Sequence, residues 1–254
     1  MNTPIIISNT KSYIKTLKDF YTLQNDIWRN LEKENYKYHV AVPYTHISLI
    51  EKEEYKAFTV GAQNFTAIDE AGKTGDITLL NILDAGASFV ILGHSEVRSL
   101  GETSELVSAK VSEALTANVT TILCVGETER VISGEKYDTS YIDELLKVLK
   151  ESLKGVNKNN LDKLIVAYEP IWAIGVSSGA STEVVMQAVI LIRRELAKIF
   201  GIDGAKKIKI IYGGSVDEDN AKNYLTESTC DGVLIGRASM NAKSFSKIIN
   251  NLYK

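Results

Sequence analysis

The 254-residue sequence predicts an α/β protein, a (β/α)8 barrel that forms a single domain over residues 1–254. Short runs rich in β-branched residues alternate with longer amphipathic runs along the whole chain, which is the pattern of repeated strand–helix units. Eight such units occur, at about 32 residues each, and this number and size are typical of a closed parallel barrel. No Pro- or Gly-rich linker divides the chain, so we expect one domain.

An open, doubly wound parallel sheet is the alternative architecture. It is disfavoured because no Gly-x-Gly-x-x-Gly turn follows the first candidate strand. In chain order, the candidate strands are Ile5–Ser8, Tyr38–Val42, Thr59–Ala62, Phe89–Leu92, Thr120–Val125, Leu164–Tyr168, Lys209–Tyr212 and Gly232–Ile235. The clearest helical patterns cover Tyr141–Leu153, Thr182–Phe200 and Asn241–Tyr253. The second of these has Ser181 as a candidate N-cap and stops at Gly201.

The composition argues against several classes of protein. With 24% charged residues, a net charge of −3 and no membrane-length apolar run, we expect neither nucleic-acid nor membrane binding. The N-terminus lacks the pattern of a signal peptide, and Cys124 and Cys230 are too few for a disulfide framework, so we expect a reduced, cytoplasmic protein. The three histidines lie far apart and no CxxC pair is present, so we expect no metal site.

Functional side chains in a parallel barrel collect at the C-terminal ends of the strands. The sixth strand is followed by Glu169, and Pro170 then prevents further ladder pairing. The segment 170–180 has an apolar tip, Ile171–Ile174, between small residues, which is the composition of a closing lid. Glu169 is therefore a candidate general base, although a Glu beside a loop is, taken alone, more often a surface residue.

Other strand ends supply cations and a phosphate site. Lys11 follows the first strand, as a fixed charge, a Schiff-base nucleophile or a solvated surface residue. His94 follows the fourth strand, where an imidazole can donate to a carbonyl oxygen or simply pack. The turns Gly213–Ser215 and Gly236–Arg237 follow the last two strands, and such glycine turns are typical of phosphate binding by backbone N–H groups. Cys124 lies inside an apolar run and is expected to be a core residue.

Together these groups suit the removal of a proton α to a carbonyl on a small phosphorylated sugar. Glu169 would take the carbon-bound proton, His94 and Lys11 would stabilise the enediolate oxygen, and the lid would exclude water. No cofactor is expected for this chemistry.

Several blocks of the sequence resemble those of triosephosphate isomerases, and the resemblance covers nearly the whole chain. AYEPIWAIG and GHSE are the most specific of them. The matching blocks are Asn9-x-Lys11, GAQNF at 61–65, GHSE at 93–96, CVGET at 124–128, AYEPIWAIG at 167–175, YGGSV at 212–216 and DGVLIG at 231–236. The resemblance implies a TIM-barrel isomerase of glycolysis and gluconeogenesis that interconverts D-glyceraldehyde 3-phosphate and dihydroxyacetone phosphate.

The resemblance also assigns roles to residues. It implies that Glu169 is the base, His94 the neutral electrophile and Lys11 the electrostatic stabiliser. It makes Asn9 and Lys11 substrate-binding as well, and it places Ser95 and Glu96 beside them as supporting residues. The phosphate would be held by backbone N–H groups, namely those of Gly175, Ser215, Gly236 and Arg237.

Members of the family are typically homodimers, in which the third βα loop enters the active site of the other subunit. Thr74-Gly75-Asp76 matches the Thr-Gly-Glu motif of that loop, so we expect Thr74 near Asn9 and Glu96 of the partner subunit. A few positions depart from the family pattern without removing a catalytic group. They are Thr10 and Lys73 in place of aromatic residues, Val97 in place of Arg, Ser177-Ser178-Gly179 at the end of the lid, and Arg237 in place of Gly.

Two other functions compete with the isomerase. The first is a phosphate-binding barrel of different chemistry, such as an aldolase that forms a Schiff base on a lysine, but Lys11 lies at a strand end rather than inside the barrel. The second is a barrel that only binds, which the presence of Lys11, His94 and Glu169 disfavours.

Overall fold

The fold is known from a computed structural model, which describes residues 3–33, 35–50, 57–66, 73–130, 140–176 and 179–254. Eight strands form one closed barrel in the order of the chain, and every neighbouring pair, including the pair of first and last strands that closes the barrel, is parallel. The prediction of a (β/α)8 barrel is confirmed, and the open doubly wound sheet is excluded.

The strands are short and almost wholly buried. They are β1 (Ile5–Asn9), β2 (Tyr38–Val42), β3 (Phe58–Ala62), β4 (Phe89–Leu92), β5 (Thr120–Val125), β6 (Leu164–Tyr168), β7 (Lys209–Tyr212) and β8 (Gly232–Ile235). Six of the predicted ranges coincide with these bounds, while β1 and β3 are each one residue longer than predicted. Continuous apolar runs mark the strands because a parallel barrel covers both faces of its sheet.

Helices connect the strands on the outside of the barrel. They are α1 (Leu17–Asn30), α2 (Tyr44–Ile47), α3 (Leu79–Asp84), α4 (Ser95–Arg98), α5 (Ser104–Thr116), α6 (Ser140–Ser152), α7 (Thr182–Phe200), α8 (Ile202–Lys207), α9 (Ala221–Thr226) and α10 (Ala242–Leu252). Short 3₁₀ helices cover Leu161–Lys163, Ile171–Ala173 and Arg237–Met240. The three predicted helices are confirmed to within one residue at each end.

The caps of α7 follow from its sequence. The Ser181 side chain accepts a hydrogen bond from the Val184 N–H, which satisfies one of the free donors of the first turn. At the other end, Gly201 adopts φ +82°, a backbone conformation that glycine reaches without strain.

The buried apolar side chains divide into an inner and an outer cluster. The inner cluster fills the barrel and consists of Ile7, Ala41, Phe89, Ile91, Ile122, Cys124, Ile165, Ala167, Ile211 and Leu234. Gly61 leaves room for one of its large members, since a Cβ atom there would lie 2.4 Å from the Phe89 ring. The larger outer cluster packs the helices against the strands. Within the described part of the chain, no helix combines the length and apolar character needed to cross a membrane.

Candidate functional site

A cavity of about 240 Å³ opens at the C-terminal ends of the strands. It is lined by residues from five strand ends and from the lid, among them Asn9, Lys11, His94, Glu169, Gly175, Ser215, Gly236 and Arg237. These are eight of the residues that the sequence predicts as catalytic or substrate-binding. The barrel topology therefore brings together groups that are far apart in the chain.

Glu169 lies at the end of β6, with its side chain buried at the bottom of this cavity. The residue is 3% exposed, and its backbone N–H donates to the Val125 carbonyl at 2.8 Å. One carboxylate oxygen, Oε2, is buried without a hydrogen-bond partner in the described structure. The glycine at 213 makes room for the carboxylate, because a Cβ atom there would lie 2.7 Å from Glu169 Cγ. A buried carboxylate oxygen with no donor is costly, and it is well placed to accept a proton from a ligand.

His94 faces Glu169 from the start of α4. Its Nε2 lies 3.7 Å from Glu169 Oε1, too far for a hydrogen bond. Its Nδ1 accepts a hydrogen bond from the Glu96 N–H at 3.2 Å, as the N-cap of α4. Since Nδ1 accepts, the proton of the ring lies on Nε2, and the imidazole is neutral. This tautomer directs an N–H donor into the cavity beside the carboxylate.

Lys11 and Asn9 form the opposite wall. The Lys11 Nζ makes a 2.6 Å ion pair with Glu96 Oε1, and the Lys11 N–H donates to Asn9 Oδ1 at 3.0 Å. Lys11 adopts φ +46°, which is uncommon for a non-glycine residue and typical of functional sites. The side chain of Gln63 stabilises this conformation by donating to the Lys11 carbonyl at 3.0 Å.

The described part of the lid is held at its N-terminal end by Glu127. Glu127 Oε1 accepts hydrogen bonds from Tyr168 Oη at 2.8 Å and from Trp172 Nε1 at 2.9 Å. The Ile171 N–H donates to the Glu127 carbonyl at 2.9 Å. Burial raises the pKa of the Glu127 carboxyl, while these donors oppose that shift. The apolar tip predicted for the lid includes the 3₁₀ helix Ile171–Ala173.

The tip and the far end of the lid contact the last two strand ends. Gly175 adopts φ +72°, and its carbonyl accepts from Arg237 Nη2 at 2.7 Å. Ser215 donates twice, from its N–H to the Ala173 carbonyl at 3.0 Å and from its hydroxyl to the Val176 carbonyl at 3.0 Å. At the far end, the Ala180 N–H donates to the Tyr212 hydroxyl, and the Ala180 carbonyl accepts from the Tyr224 hydroxyl. Ser177 and Ser178, predicted as part of an unusual hinge, lie outside the described residues.

Two further predicted positions do not line the cavity. Ser95 is the first residue of α4, and Thr74 lies in an exposed turn. Thr10 is fully buried, and its hydroxyl donates to the Ala41 carbonyl at 3.0 Å.

The sequence did not single out three residues that support the site. Gln63 stabilises the Lys11 backbone, Glu127 anchors the lid, and Tyr212 Oη bonds its far end. Glu127 had a usable signal, since it is a carboxylate two residues past the end of β5, as Glu169 is directly past β6. The contacts of Gln63 and Tyr212 span 52 and 32 residues of the chain, so their signal is only that both residues lie in the matching blocks GAQNF and YGGSV.

The site contains groups for acid–base chemistry rather than for metal binding or thiol chemistry. In the described ranges, no group of three His, Cys, Asp or Glu side chains is arranged to hold a metal ion. Cys124 is buried, and burial together with the Glu169 charge raises the pKa of its thiol well above the ordinary range. The arrangement instead offers a carboxylate base, a neutral N–H donor and an ammonium around one cavity.

Comparison with known proteins shows a close relationship over nearly the full chain. The family model described as Triosephosphate isomerase matches residues 4–252. A triosephosphate isomerase of Caldanaerobacter subterraneus subsp. tengcongensis is 33% identical over 98% of this chain and 100% of its own length. Those of Alkaliphilus oremlandii and Protochlamydia amoebophila are 35% and 36% identical over 98% of this chain, which matches 100% and 93% of their lengths.

Proposed function

The chain belongs to the triosephosphate isomerase family and interconverts D-glyceraldehyde 3-phosphate and dihydroxyacetone phosphate, and we propose that Glu169, His94 and Lys11 carry out the reaction. The general mechanism is the established one of this enzyme family.

Glu169 is the base that moves the proton. Its carboxylate removes the proton from the carbon next to the carbonyl of the bound triose, and the electron pair of that C–H bond forms the double bond of an enediolate. The same carboxyl returns the proton to the neighbouring carbon, which completes the isomerisation. The single observation that carries this assignment is the position of Glu169, a buried carboxylate that lines the cavity with its Oε1 3.7 Å from His94 Nε2.

His94 and Lys11 stabilise the oxygen on which negative charge develops. The Nε2–H of neutral His94 donates to the carbonyl oxygen and exchanges protons between the two oxygens of the enediol. Lys11 supplies a positive charge, which is worth most in a cavity that excludes water. In this structure its Nζ is paired with Glu96 at 2.6 Å, so substrate binding would share the ammonium between that carboxylate and the substrate.

The phosphate is held at the other end of the cavity by N–H groups of the lid and of the β7 and β8 turns. These are the N–H groups of Gly175, Ser215, Gly236 and Arg237. The Ser215 N–H donates to the Ala173 carbonyl at 3.0 Å here, so its use by phosphate requires the lid to shift. A closed lid excludes water and keeps the enediolate from eliminating its phosphate.

An assay in deuterium oxide tests the reaction and its mechanism together. Dihydroxyacetone phosphate formed from D-glyceraldehyde 3-phosphate is followed through a reductase and NADH, and the product is examined for deuterium at C1. We expect turnover with deuterium incorporation, since the base exchanges its proton with solvent. Borohydride inactivation in the presence of substrate would instead indicate the Schiff-base chemistry of an aldolase. Absence of turnover in a folded protein would support a barrel that only binds.

We also infer a cytoplasmic homodimer. The turn that contains Thr74 is exposed, and large apolar side chains elsewhere on the surface are exposed as well, including Leu80 at 73% and Leu100 at 89%. Exposed side chains of this kind are available to the core of an interface. Part of the loop predicted to enter the partner, residues 67–72, lies outside the described residues. Both cysteines are free, which supports a reducing compartment.

Light scattering at micromolar concentration tests the dimer. We expect twice the 28.0 kDa mass of the chain. Thr74→Arg should give the monomer mass and lose activity, while Lys206→Glu on the exposed α8 should change neither. A monomeric wild type would overturn the assignment.

A further inference from the structure

The side chain of Arg237 faces the same cavity as the reacting groups and has no role in the chemistry described so far. We propose that its guanidinium binds the substrate phosphate directly and holds the lid over it, a role that rests on the proposed function. The residue would then determine specificity for a phosphorylated substrate, beyond the contribution of its backbone N–H.

The hydrogen bonding of Arg237 leaves it able to bind an anion. Its Nη2 donates to the Gly175 carbonyl at 2.7 Å. A guanidinium carries five N–H donors in a rigid plane, so others remain available. Among the residues that the structure describes, no carboxylate lies within 4.0 Å of this guanidinium. Its charge is therefore not neutralised by an ion pair, unlike that of Lys11.

The position of Arg237 is that of a phosphate ligand. It directly follows Gly236, whose turn ends β8, and both residues line the cavity together with Ser215. The stem of Lys11 also approaches Gly236, since a Cβ atom on that glycine would be 3.7 Å from Lys11 Cε. Arginine pairs with phosphate through two parallel N–H···O bonds, which a lysine cannot make.

The contact with Gly175 joins this ligand to the lid. Other described hydrogen bonds that hold the lid come from Glu127 after β5, from Ser215 after β7 and, at Ala180, from the tyrosines 212 and 224, whereas Arg237 approaches from the β8 turn. The approach is close, because a Cβ atom on Gly175 would lie 3.4 Å from Arg237 Nη2. One planar group that binds both Gly175 of the lid and the phosphate couples the arrival of the phosphate to the position of the lid.

Steady-state kinetics and phosphate binding test this proposal with three variants. Arg237→Gln keeps a hydrogen-bond donor without the charge, Arg237→Lys keeps the charge without the planar fork, and Arg194→Gln removes an exposed arginine of α7 outside the cavity. For each we would measure KM and kcat for D-glyceraldehyde 3-phosphate and the affinity for inorganic phosphate by inhibition and calorimetry. Thermal unfolding checks that each variant is folded.

We expect Arg237→Gln to raise KM and to weaken the binding of inorganic phosphate by about tenfold each, the size of a charge-assisted hydrogen bond. Arg237→Lys should recover part of both losses, and Arg194→Gln should match the wild type. Unchanged phosphate affinity in Arg237→Gln would overturn the proposal, even if KM rose, because the side chain would then act on the lid alone. If Arg237→Gln did not fold, the Arg237→Lys variant would decide. A phosphate affinity of Arg237→Lys equal to that of the wild type would overturn the proposal that the planar guanidinium binds the phosphate.

The two proposals fail in different ways. A wild type that binds inorganic phosphate without turnover would refute the isomerase assignment, and calorimetry with Arg237→Gln would still decide the role of the side chain. Turnover in the wild type, together with an unchanged affinity of Arg237→Gln for inorganic phosphate, would refute only the role of the Arg237 side chain.

Discussion

The interior of the barrel and its mouth are built on the same strands but solve opposite problems. The interior cluster is apolar and closely packed, as at Ile91 and Ile211, which are fully buried. A few residues further along the strands, the mouth buries Glu169 with one oxygen unpartnered and holds Lys11 at φ +46°. Apolar burial stabilises the fold, whereas an unsatisfied charge and a strained backbone oppose it. The difference indicates that burial of apolar side chains in the interior offsets the destabilising free energy of the groups at the mouth.

The strongest test of this separation is Glu169→Gln. The amide keeps the shape of the side chain but cannot accept the carbon-bound proton, so we expect kcat to fall by ~10²–10⁴, the usual contribution of a positioned base. The free energy of unfolding should stay equal or rise, since a buried charge with an unpartnered oxygen is removed. Coupled assays and urea unfolding measure the two effects. A large loss of stability would show that the carboxylate is a structural group.

His94→Gln should give the next largest effect. Glutamine retains an N–H donor but misplaces it relative to the imidazole Nε2–H, so we expect kcat to fall by ~10²–10³, as for the loss of one donor to an oxyanion. KM should change little, because the phosphate contacts lie elsewhere. A variant with normal kcat would remove His94 from the mechanism.

The two regions also differ in how far the sequence predicted them. The strands were predicted almost to the residue because burial on both faces produces continuous apolar runs, as in Phe89–Leu92 and Leu164–Tyr168. The barrel then follows from the number of units and their parallel order. Strand ends in turn place Lys11, His94 and Glu169 around one cavity.

The contacts that arrange these side chains could not be predicted in the same way. The left-handed backbone of Lys11 is held by Asn9, two residues earlier, and by Gln63, which directly follows β3; the contact with Gln63 has no local signal. The bond between Arg237 and the Gly175 carbonyl joins residues 62 positions apart and depends on where the lid lies. Local pattern predicts elements, whereas such pairs form only once the barrel has closed.

Cys124 lies where the two regions meet, and its thiol links stability to pH. Burial, followed by the Glu169 charge, raises the pKa of Cys124, and burial raises the pKa of Cys230 to about 12. Unfolded thiols ionise near pH ~8.5. Above that pH the unfolded state loses protons that the folded state keeps, so stability falls as pH rises towards the folded pKa, and is unaffected below.

Urea unfolding at pH 8.5 and 9.5 measures this loss. For each thiol we expect a decrease of about 1 kcal/mol in the free energy of unfolding over that interval. Cys230→Ala should remove the part of the decrease that comes from the Cys230 thiol, and Cys124→Ala should remove the part that comes from the Cys124 thiol. The same decrease in both variants as in the wild type would mean that neither thiol is protected from ionisation by the fold.

The smallest effect tests the interior alone. Ile91→Val deletes one methyl group from the inner cluster, so we expect a loss of about 0.5–1.5 kcal/mol in the free energy of unfolding. Ile190→Val on the exposed face of α7 is the matched control, and it should change stability by less than about 0.5 kcal/mol. Because Ile91 lies three residues before His94, near the end of β4, the kcat of the Ile91→Val variant is the informative readout. If kcat stays within about twofold of the wild-type value, the packing of the interior stabilises the fold without setting the geometry of the site. A fall of about tenfold would mean that packing within β4 sets the position of His94, so that the same residues determine stability and catalysis.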